Sequence, residues 1–544
     1  MKNFFITTVG KTNISSGHIF KSSLPHIVIP DVTAGDYVFQ KCSSDPALKD
    51  TTAIVDGDNG DTLTYSEIES GAASVAGGLL KLGADTSSVI ALIAPNCPAY
   101  PMAYHAVLRL GATVTTINPG YTVSELSNHF IDCQPSVVFT VKASLETVLS
   151  AGNATAVKHI IVIDTDNNKK QVKHDSNIQV HNLGDVQSAP LQQQDVDVHT
   201  HTAALPYSSG TSGTPKGVML SHRNLVANLM QCRSSLEFHR GEAVLAVIPF
   251  FHIYGMQLLM NCMLAEGVKI ITMRRFDIEK ALQLIEKYSI TRLNCVPPMI
   301  HALANHPAVE KYNTSSLCRI SCGAAPLASE VAKKASDRIG CTIVQGFGMT
   351  EMSPVSHMTL DNNFKPGSCG TQLSNTECKI INPDGNSLGV DEEGELLIRG
   401  PQIMQGYLNQ PIETARCLDK DGWLHTGDVA RIDDDGHLYI VDRLKELIKY
   451  KGFQVAPAEL ESIIITHPSV SDAAVIGIPD IESGEKPKAF VKLKQGHKAT
   501  AQNITRFVAT RVSAYKNIRA LEFVNEIPKT PSGKILRRQL RSQS

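Results

Sequence analysis

The chain has 544 residues, of which 42% are hydrophobic, and its 51 basic and 53 acidic residues give a net charge of −2. This length predicts two to four domains with a substantial buried core. The balanced charge argues against nucleic acid and anionic membrane partners, and no apolar run approaches the 18 residues of a membrane-spanning helix.

Helical and strand patterns alternate over residues 60–165, which predicts a parallel sheet covered by helices. Ser66 and Glu69 form a capping-box pattern for a helix that runs to about Lys81. Thr122 and Glu125 form a second such pattern at the start of a later helix. The elements expected around it are a strand over 89–93, a helix through 110, and strands over 113–117 and 136–140.

A polar stretch from Lys170 to about His201 predicts surface hairpins or loop, and a second strand–helix series begins at Ala203. The strands expected in that series are 244–248, 268–273, 292–296 and 342–345. From Glu395 onward the pattern changes to hairpins. The last hundred residues predict a separate small α+β domain, with helices after 457 and over 502–515.

A loop rich in glycine and hydroxyl side chains lies at residues 207–217, which read Tyr-Ser-Ser-Gly-Thr-Ser-Gly-Thr-Pro-Lys-Gly. Glycine lets backbone N–H groups approach an anion closely, and serine and threonine can donate to phosphate oxygens. Lys216 adds a mobile positive charge, so the segment suits a nucleoside triphosphate. It is not a Walker A loop, because Pro215 and Gly217 flank the lysine. A flexible linker is the alternative interpretation.

Three further motifs carry charged or hydroxyl side chains after turns. In the segment 345–351, Phe347 offers a flat face to a base, Thr350 can donate to a phosphate, and Glu351 can hold Mg²⁺. Asp428 follows a turn in Trp-Leu-His-Thr-Gly-Asp, where a carboxylate suits the two hydroxyls of a ribose. Lys534 lies on a Pro- and Gly-shaped loop near the chain end. Taken singly, each motif is better explained as a cap or a solvated surface charge.

All of these motifs in this order resemble the adenylate-forming superfamily of acyl-CoA synthetases, over roughly residues 35–540. The segments 247–255, 394–400 and 442–461 are most similar to 4-coumarate–CoA ligases. The resemblance implies an α/β fold with two parallel-sheet subdomains and a β-rich subdomain in a domain over 19–443. It also implies a mobile α+β domain over 444–544, joined to the first domain by a hinge.

The resemblance implies a role for each matching position. The ATP or AMP residues would be Ser208, Ser209, Gly210, Thr211, Ser212, Lys216, Gln345, Gly346, Thr350, Asp428, Arg443 and Lys445, with Mg²⁺ on Glu351. The catalytic residues would be Lys534 in the first half-reaction, Lys449 in the second, and His252 beside the acyl carboxylate. CoA would contact Arg275, Lys451 and Gly452, and the acyl pocket would include Tyr254, Gly323 and Ala324.

The sequence departs from the family pattern at the base-stacking position and in the acyl pocket. Phe347 replaces the usual tyrosine, which keeps the ring face and loses a hydroxyl. Leu258 stands where a small polar residue would help to read a phenol, so the case for 4-coumarate itself is weaker. Together with Met256 and Leu259 it favours a medium- or long-chain fatty acid as the alternative substrate. A nucleotide-binding regulator without turnover is the alternative from another class.

The compartment and assembly are expectations from the rest of the sequence. Twelve cysteines without a Cys-x-x-Cys pair favour a reducing compartment. The chain does not end in the Ser-Lys-Leu peroxisomal address. We expect residues 1–18 to form a non-targeting extension on a cytoplasmic protein without stable membrane anchoring, present as a monomer or weak dimer.

Overall fold

Two large sheets of strands alternating with helices form most of the chain. The computed structural model describes residues 14–15, 18–164, 177–208, 215–360, 363–451, 453–480, 483–530 and 533–543. Within that part, the first sheet has the strand order Tyr207–Ser208, Lys216–Ser221, Thr202–Ala204, Thr113–Thr116, Val89–Ile93, Val137–Thr140, His159–Val162 and Gln179–Asn182, with Gly406–Tyr407 paired to Lys216–Ser221. The strands from Thr202–Ala204 to Gln179–Asn182 run parallel.

The second sheet is the one beside which the candidate site lies. Its strand order is Thr371–Gln372, Val355–Met358, Ile343–Gly348, Arg319–Cys322, Arg292–Cys295, Ala243–Ala246, Lys269–Thr272, Thr52–Asp56 and Thr62–Thr64. The strands from Ile343–Gly348 to Thr52–Asp56 are parallel. Ala243–Ala246 is buried at every position, which explains its continuous apolar run, whereas Arg292–Cys295 and Arg319–Cys322 alternate polar and apolar residues.

Helices cover both sheets and bury apolar faces against them. Three start with reciprocal capping boxes, at Thr64 with Glu67, at Thr122 with Glu125, and at Ser221 with Asn224. The helices of this part are Ala34–Ser44, Pro46–Lys49, Tyr65–Lys81, Ala99–Arg109, Val123–Cys133, Leu145–Gly152, Leu183–Val186, His222–Ser235, Cys262–Glu266, Ile278–Tyr288, Pro297–Asn305, Ser329–Ile339 and Pro411–Cys417. A π-helical segment, Gly255–Asn261, precedes Cys262–Glu266, and 3₁₀ turns lie at Lys142–Ser144, Pro307–Lys311 and Thr350–Met352.

An antiparallel sheet and a small α+β unit complete the fold. The antiparallel sheet has the order Ile14–Ser15, Ile19–Lys21, Glu377–Ile381, Gly394–Arg399, Leu424–Ile432 and Leu438–Arg443. The unit at the C-terminal end has the strands Phe453–Val455, Ile448–Tyr450, Gly484–Leu493, Val470–Asp480 and Ala520–Phe523, the helices Pro457–Ile465, Ala501–Ala509 and Arg537–Ser542, and a 3₁₀ turn at Ala514–Lys516. It has its own apolar core, which includes Leu460, Val475 and Val491.

The predicted α/β class, with two parallel sheets, a β-rich part and a smaller C-terminal unit, is confirmed. None of the twelve cysteines, all within the described residues, forms a disulfide. No described helix is both long enough and apolar enough to cross a membrane. The expected division at residue 444 falls between the strands Leu438–Arg443 and Ile448–Tyr450.

Three local predictions are wrong. The first capping box is Thr64 with Glu67 rather than the overlapping pair Ser66 and Glu69, because the preceding strand ends at Thr64. The segment expected as surface hairpins or loop contains a parallel edge strand, Gln179–Asn182, since backbone pairing to His159–Val162 needs no apolar side chains. The helix expected over 502–515 ends at Ala509, where the Thr510 hydroxyl bonds back to the Phe507 carbonyl.

Candidate active site

A cavity opens at the carboxyl ends of the parallel strands in the second sheet, the usual position of ligand sites in such sheets. Its wall includes Gly323 and Ala324 after one strand and residues 345–350 along the next. Lys534, from the C-terminal unit, reaches the same cavity. The cavity therefore joins residues that lie more than 200 positions apart in the sequence.

The strand Ile343–Gly348 forms one side of this cavity. It pairs with Val355–Met358 in an antiparallel ladder that is irregular between Phe347 and Gly348. A side chain at Gly348 would place its Cβ 2.2 Å from the Pro354 carbonyl oxygen, so this position requires glycine. The side-chain oxygen of Gln345 accepts a hydrogen bond from the Leu327 N–H at 3.1 Å. The backbone is thus fixed beside the predicted base-binding ring of Phe347, which is partly exposed.

Glu351 lies at the end of a buried hydrogen-bond cluster. Its Oε1 accepts from the Ser208 hydroxyl and from the Tyr407 hydroxyl, each at 2.9 Å. The described residues contain no group of three or more His, Cys, Asp or Glu side chains arranged to hold a metal ion. A single oriented carboxylate does fit Mg²⁺, which prefers one or two carboxylates together with phosphate oxygens.

Lys216 is buried instead of lying on a mobile loop as the sequence suggested. It is the first residue of the strand Lys216–Ser221 and is only 4% exposed. Its ammonium group forms an ion pair with the Glu413 carboxylate and lies 4.9 Å from the centre of the Tyr407 ring. The hydrogen bond from Lys216 lowers the pKa of Glu413. Lys216 is therefore held in an ion pair with Glu413 at the start of this strand.

Asp428 and Arg443 face each other across neighbouring antiparallel strands. The Asp428 Oδ1 and the Arg443 Nε are 3.2 Å apart, and Asp428 is 4% exposed. Burial raises the pKa of Asp428, and the positive charges of Arg443 and Lys534 offset part of that rise. The carboxylate is thus a buried acceptor beside two cations.

Lys534 is held in the cavity by the loop that carries it. Its backbone N–H donates to the Thr530 hydroxyl at 3.1 Å, and a Cβ at the neighbouring Gly533 would lie 3.4 Å from Val296 and Pro298. Burial lowers the pKa of Lys534, Arg443 acts in the same direction, and nearby carboxylates oppose them. Burial also lowers the pKa of His252 to about 3, and the charge of Lys534 adds to that effect. His252 is therefore neutral near pH 7.

The predicted acyl-pocket residues lie together. A Cβ at Gly323 would be 3.3 Å from the Tyr254 ring, so the absence of a side chain there makes room for that ring. Ala324 has a left-handed backbone with φ of 69°, which turns the chain at the cavity wall.

The other predicted cations lie outside the cavity lining. Arg275, Lys445, Lys449 and Lys451 are exposed. Partial desolvation of the Lys445 ammonium lowers its pKa although the residue is exposed, and the charges of Lys216 and Arg443 contribute to that shift. The predicted residues Ser209, Gly210, Thr211, Ser212 and Gly452 lie outside the described residues.

The structure adds site residues that sequence reasoning missed. Tyr407 and Glu413 contact the predicted cluster from a segment that carries no phosphate-binding pattern. Polar side chains also line the cavity that contains the predicted acyl-pocket residues: Arg292, Asn294, Arg319 and Ser321. One signal was available for these four, since the strands read Arg-Leu-Asn-Cys and Arg-Ile-Ser-Cys and place polar residues at alternate positions of buried strands.

Known proteins match this chain along nearly its whole length. The family profile described as AMP-binding enzyme matches residues 44–408, and the profile described as AMP-binding enzyme C-terminal domain matches residues 459–534. A 4-coumarate–CoA ligase of Humulus lupulus is 40% identical over 538 residues, which are 96% of each chain. 4-Coumarate–CoA ligase 1 of Petroselinum crispum is 41% identical over 541 residues, again 96% of each chain.

Solved structures show the same architecture. The crystal structure of the anthranilate CoA ligase AuaEII in complex with anthranoyl-AMP superposes with a TM-score of 0.86 at 26% identity, over 95% of this chain and 98% of that one. ATP-bound MatB from Rhodopseudomonas palustris superposes with a TM-score of 0.83 at 25% identity, over 94% and 99% of the two chains.

Proposed function

This chain belongs to the AMP-binding enzyme family, and we propose that it joins a carboxylic acid to coenzyme A in two steps that consume ATP. It is an acid–thiol ligase most like the 4-coumarate–CoA ligases. The observation that carries the proposal is the position of Lys534, which enters the same cavity as His252 and Thr350 and lies in the electrostatic field of Asp428 and Glu351.

In the first half-reaction a carboxylate oxygen of the acid attacks the α-phosphorus of ATP. The new O–P bond forms as the bond from the α-phosphorus to the bridging oxygen breaks, and pyrophosphate leaves with that electron pair. Lys534 and Lys216 supply positive charge for this meeting of anions, which is mainly a problem of positioning and charge neutralisation. Asp428 and Arg443 are suited to hold the ribose hydroxyls, and Thr350 can donate to the α-phosphate.

In the second half-reaction the CoA sulfur attacks the carbonyl carbon of the acyl-AMP. The C–S bond forms, the bond from that carbon to the phosphate oxygen breaks, AMP leaves, and the thiol proton passes to solvent. We propose that Lys449 then replaces Lys534 near the adenylate, after rotation of the C-terminal unit about Lys445. Lys451, Gly452 and Arg275 would contact CoA.

The cluster around Glu351 fits Mg²⁺, and Glu351 would be its protein ligand. The bound ion would neutralise phosphate charge and make pyrophosphate a better leaving group. Ser208 and Tyr407 orient the carboxylate by donating to its Oε1.

A fatty acyl substrate remains the second candidate, and one observation favours it. Leu258 lines the cavity, as that alternative requires. Met256 and Leu259, which were expected to act with it, are fully buried and are not part of the cavity lining.

The proposal is tested by pyrophosphate release with a panel of cinnamates, benzoates and medium- and long-chain fatty acids, each with and without CoA. Acid-dependent release is expected, whereas a nucleotide-binding regulator would release none. A second assay converts synthetic acyl-AMP and CoA to thioester.

The two lysines allow the half-reactions to be separated. Lys534→Ala should lower pyrophosphate release about 10²–10³-fold, the typical effect of removing one preorganised charge donor, yet should keep thioester formation from acyl-AMP. Lys449→Ala should show the reverse pattern. Lys420→Ala, which removes an exposed lysine outside the cavity, is the control. Equal losses in both assays for both variants would refute the division of roles.

A further inference from the structure

The segment 207–217 is closed at its two ends by an antiparallel strand pair. Tyr207 pairs with Gly217, and Ser208 pairs with Lys216. Ser208 and Lys216 are two of the groups assigned to the phosphate side of the site, and each is the chain neighbour of one member of the outer pair. The position of Tyr207 against Gly217 therefore sets where both of them begin.

The Tyr207 ring is held from both sides. Its centre lies 3.7 Å from the centre of the His129 imidazole, and a Cβ at Gly217 would lie 3.1 Å from the ring on its other contact. Burial lowers the pKa of His129 to about 3, so the imidazole is neutral. The Thr115 hydroxyl donates its one hydrogen to the Leu205 carbonyl oxygen at 2.9 Å and therefore accepts from the His129 Nε2 at 3.1 Å. The imidazole that supports the ring is thus itself fixed by a hydrogen bond.

Asp132 joins this closed end to a second segment of the site. Its Oδ2 accepts from the Tyr207 hydroxyl at 2.5 Å. Its backbone carbonyl oxygen and its Oδ1 accept from the Asn409 amide nitrogen at 3.1 and 3.3 Å. Asn409 follows Tyr407 by two positions, and Tyr407 lies in the short strand paired with Lys216–Ser221. One aspartate on a helix therefore binds both segments.

The same two segments supply the two donors to Glu351. Ser208, the neighbour of Tyr207, and Tyr407 each donate to its Oε1 at 2.9 Å. Resting on the function proposed above, we propose that Asp132 and Tyr207 are positioning residues for the first half-reaction. They fix the distance between the two donors, and with it the orientation of the Glu351 carboxylate toward Mg²⁺ and the triphosphate. Both lie outside the cavity lining and act through these neighbours.

The chemistry of the Tyr207–Asp132 contact allows it to be tested by small changes. Burial raises the pKa of the Tyr207 hydroxyl, so it remains a donor near neutral pH. A hydrogen bond from a hydroxyl to a carboxylate is shorter and stronger than one between neutral groups. Asparagine at position 132 keeps an acceptor oxygen, whereas alanine keeps none. Comparison of the two substitutions therefore separates loss of the acceptor from loss of the charge.

The test measures the two half-reactions separately on the full-length chain. The first readout is kcat/KM for ATP in acid-dependent pyrophosphate release at saturating Mg²⁺. The second is thioester formation from synthetic acyl-AMP and CoA, which requires no triphosphate. The third is the increase in melting temperature that ATP with Mg²⁺ produces, which requires no turnover. Positioning of the triphosphate side should affect the first and third readouts and spare the second.

Tyr207→Phe and Asp132→Ala should each lower kcat/KM for ATP about tenfold, the effect of losing one hydrogen bond to a charged group. Both should also reduce the melting shift and keep thioester formation within about twofold of the wild type. Asp132→Asn should recover kcat/KM to within about threefold of the wild type. The double variant should be no more than about twofold worse than either single variant, because both remove the same contact. Asp85→Ala is the matched control, since its carboxylate also accepts from two hydroxyls, those of Ser87 and Ser88, on an exposed turn, and it should leave all three readouts unchanged.

Folded Tyr207→Phe and Asp132→Ala variants with unchanged kcat/KM for ATP would overturn the inference while leaving the ligase function intact. Equal losses in both half-reactions would show a general structural role and would overturn it as well. If Asp132→Ala does not fold, Tyr207→Phe, which keeps the ring, decides the matter. If the wild type releases no pyrophosphate with any acid, the ligase proposal fails. The melting shift then decides alone: a smaller shift in Tyr207→Phe supports the positioning role, and an equal shift overturns it.

Discussion

Tyr407 connects the two charged groups on the phosphate side of the site. Its hydroxyl donates to Glu351 at 2.9 Å, and its ring lies under the Lys216 ammonium, 4.9 Å from the ring centre. Burial raises the pKa of the Tyr407 hydroxyl, and the Glu351 charge adds to the rise, so Tyr407 remains a donor at neutral pH. We infer that it positions the carboxylate proposed to bind Mg²⁺.

Tyr407→Phe removes one oxygen and keeps the ring under the lysine. A hydrogen bond to a charged group contributes about 1.5–3 kcal/mol. Glu351 retains its second donor, the Ser208 hydroxyl at 2.9 Å, so we expect the lower end of that range. About 1.5 kcal/mol corresponds to about a tenfold effect, which we expect as a tenfold higher Mg²⁺ concentration for half-maximal pyrophosphate release.

The assay is a Mg²⁺ titration of acid-dependent pyrophosphate release at saturating ATP. A second readout is the increase in melting temperature that Mg²⁺ with ATP produces, which should shrink in the variant. Tyr439→Phe is a matched control, because the Tyr439 hydroxyl also donates to a carboxylate, that of Asp433 at 3.2 Å, and its ring also lies under an arginine. An unchanged Mg²⁺ requirement in Tyr407→Phe, or an equal shift in Tyr439→Phe, would refute the reasoning.

Further predictions concern a buried ion pair and two titrating groups. Glu461→Ala leaves the largely buried Arg537 guanidinium, 16% exposed, without its two hydrogen bonds to the carboxylate, at 2.7 and 2.8 Å, and should destabilise the C-terminal unit by about 3 kcal/mol in denaturant unfolding, the lower end of the range for a fully buried pair. Burial lowers the pKa of Lys534 from its ordinary 10.5. Pyrophosphate release should therefore fall as Lys534 loses its proton, at a pH below 10.5. Lys534→Arg should remove this alkaline loss, because arginine keeps its charge. The Glu395 partner raises the pKa of His425 above 6.5. Protonation therefore favours the native state, and a stabilisation under about 1 kcal/mol present below pH 6.5 should disappear as pH rises through the raised pKa.

Each of these three predictions has a control variant and a result that would contradict it. Glu461→Gln removes the charge but keeps a hydrogen-bond acceptor and should lose less stability than Glu461→Ala; equal losses would show that the retained acceptor contributes nothing and would contradict this expectation. An alkaline limb that is the same in Lys534→Arg as in the wild type would exclude Lys534 as its origin. Glu395→Gln should abolish the pH dependence assigned to His425, and its persistence would assign that dependence to another group.

Much of the fold was predictable because its signals are local. The strand 89–93, the helix ending near Lys81 and the capping box of Thr122 with Glu125 depend on residues within a few positions of one another. Errors arose where two local patterns competed. Thr64 with Glu67 and Ser66 with Glu69 both satisfy the capping-box spacing, and only the end of the preceding strand selects the first.

The predicted site residues also divide into those that the structure brings together and those that it leaves exposed outside the cavity. Gln345, Asp428 and Lys534 follow strands or turns whose chemistry is visible in a few neighbouring letters, and the structure brings them to one part of the molecule. Lys449 and Lys451 carry equally visible charges, yet they are exposed and lie outside the cavity lining. A sequence motif gives the charge of a side chain, whereas its position depends on the orientation of the unit that carries it.

The sequence by itself determined the chemical inventory: a glycine-hydroxyl loop, a carboxylate suited to Mg²⁺, a carboxylate suited to ribose hydroxyls and a lysine on a constrained loop near the chain end. Only the tertiary structure decided which groups meet. Glu351 bonds to Ser208 and Tyr407, 143 and 56 positions away, and Lys216 pairs with Glu413, 197 positions away. It also brought polar side chains of the neighbouring strands Arg292–Cys295 and Arg319–Cys322 into the wall of the cavity. Side chains this far apart in the sequence have no preferred spatial distance in the unfolded chain. That distance is fixed only when the order and register of the strands bring the strand ends together.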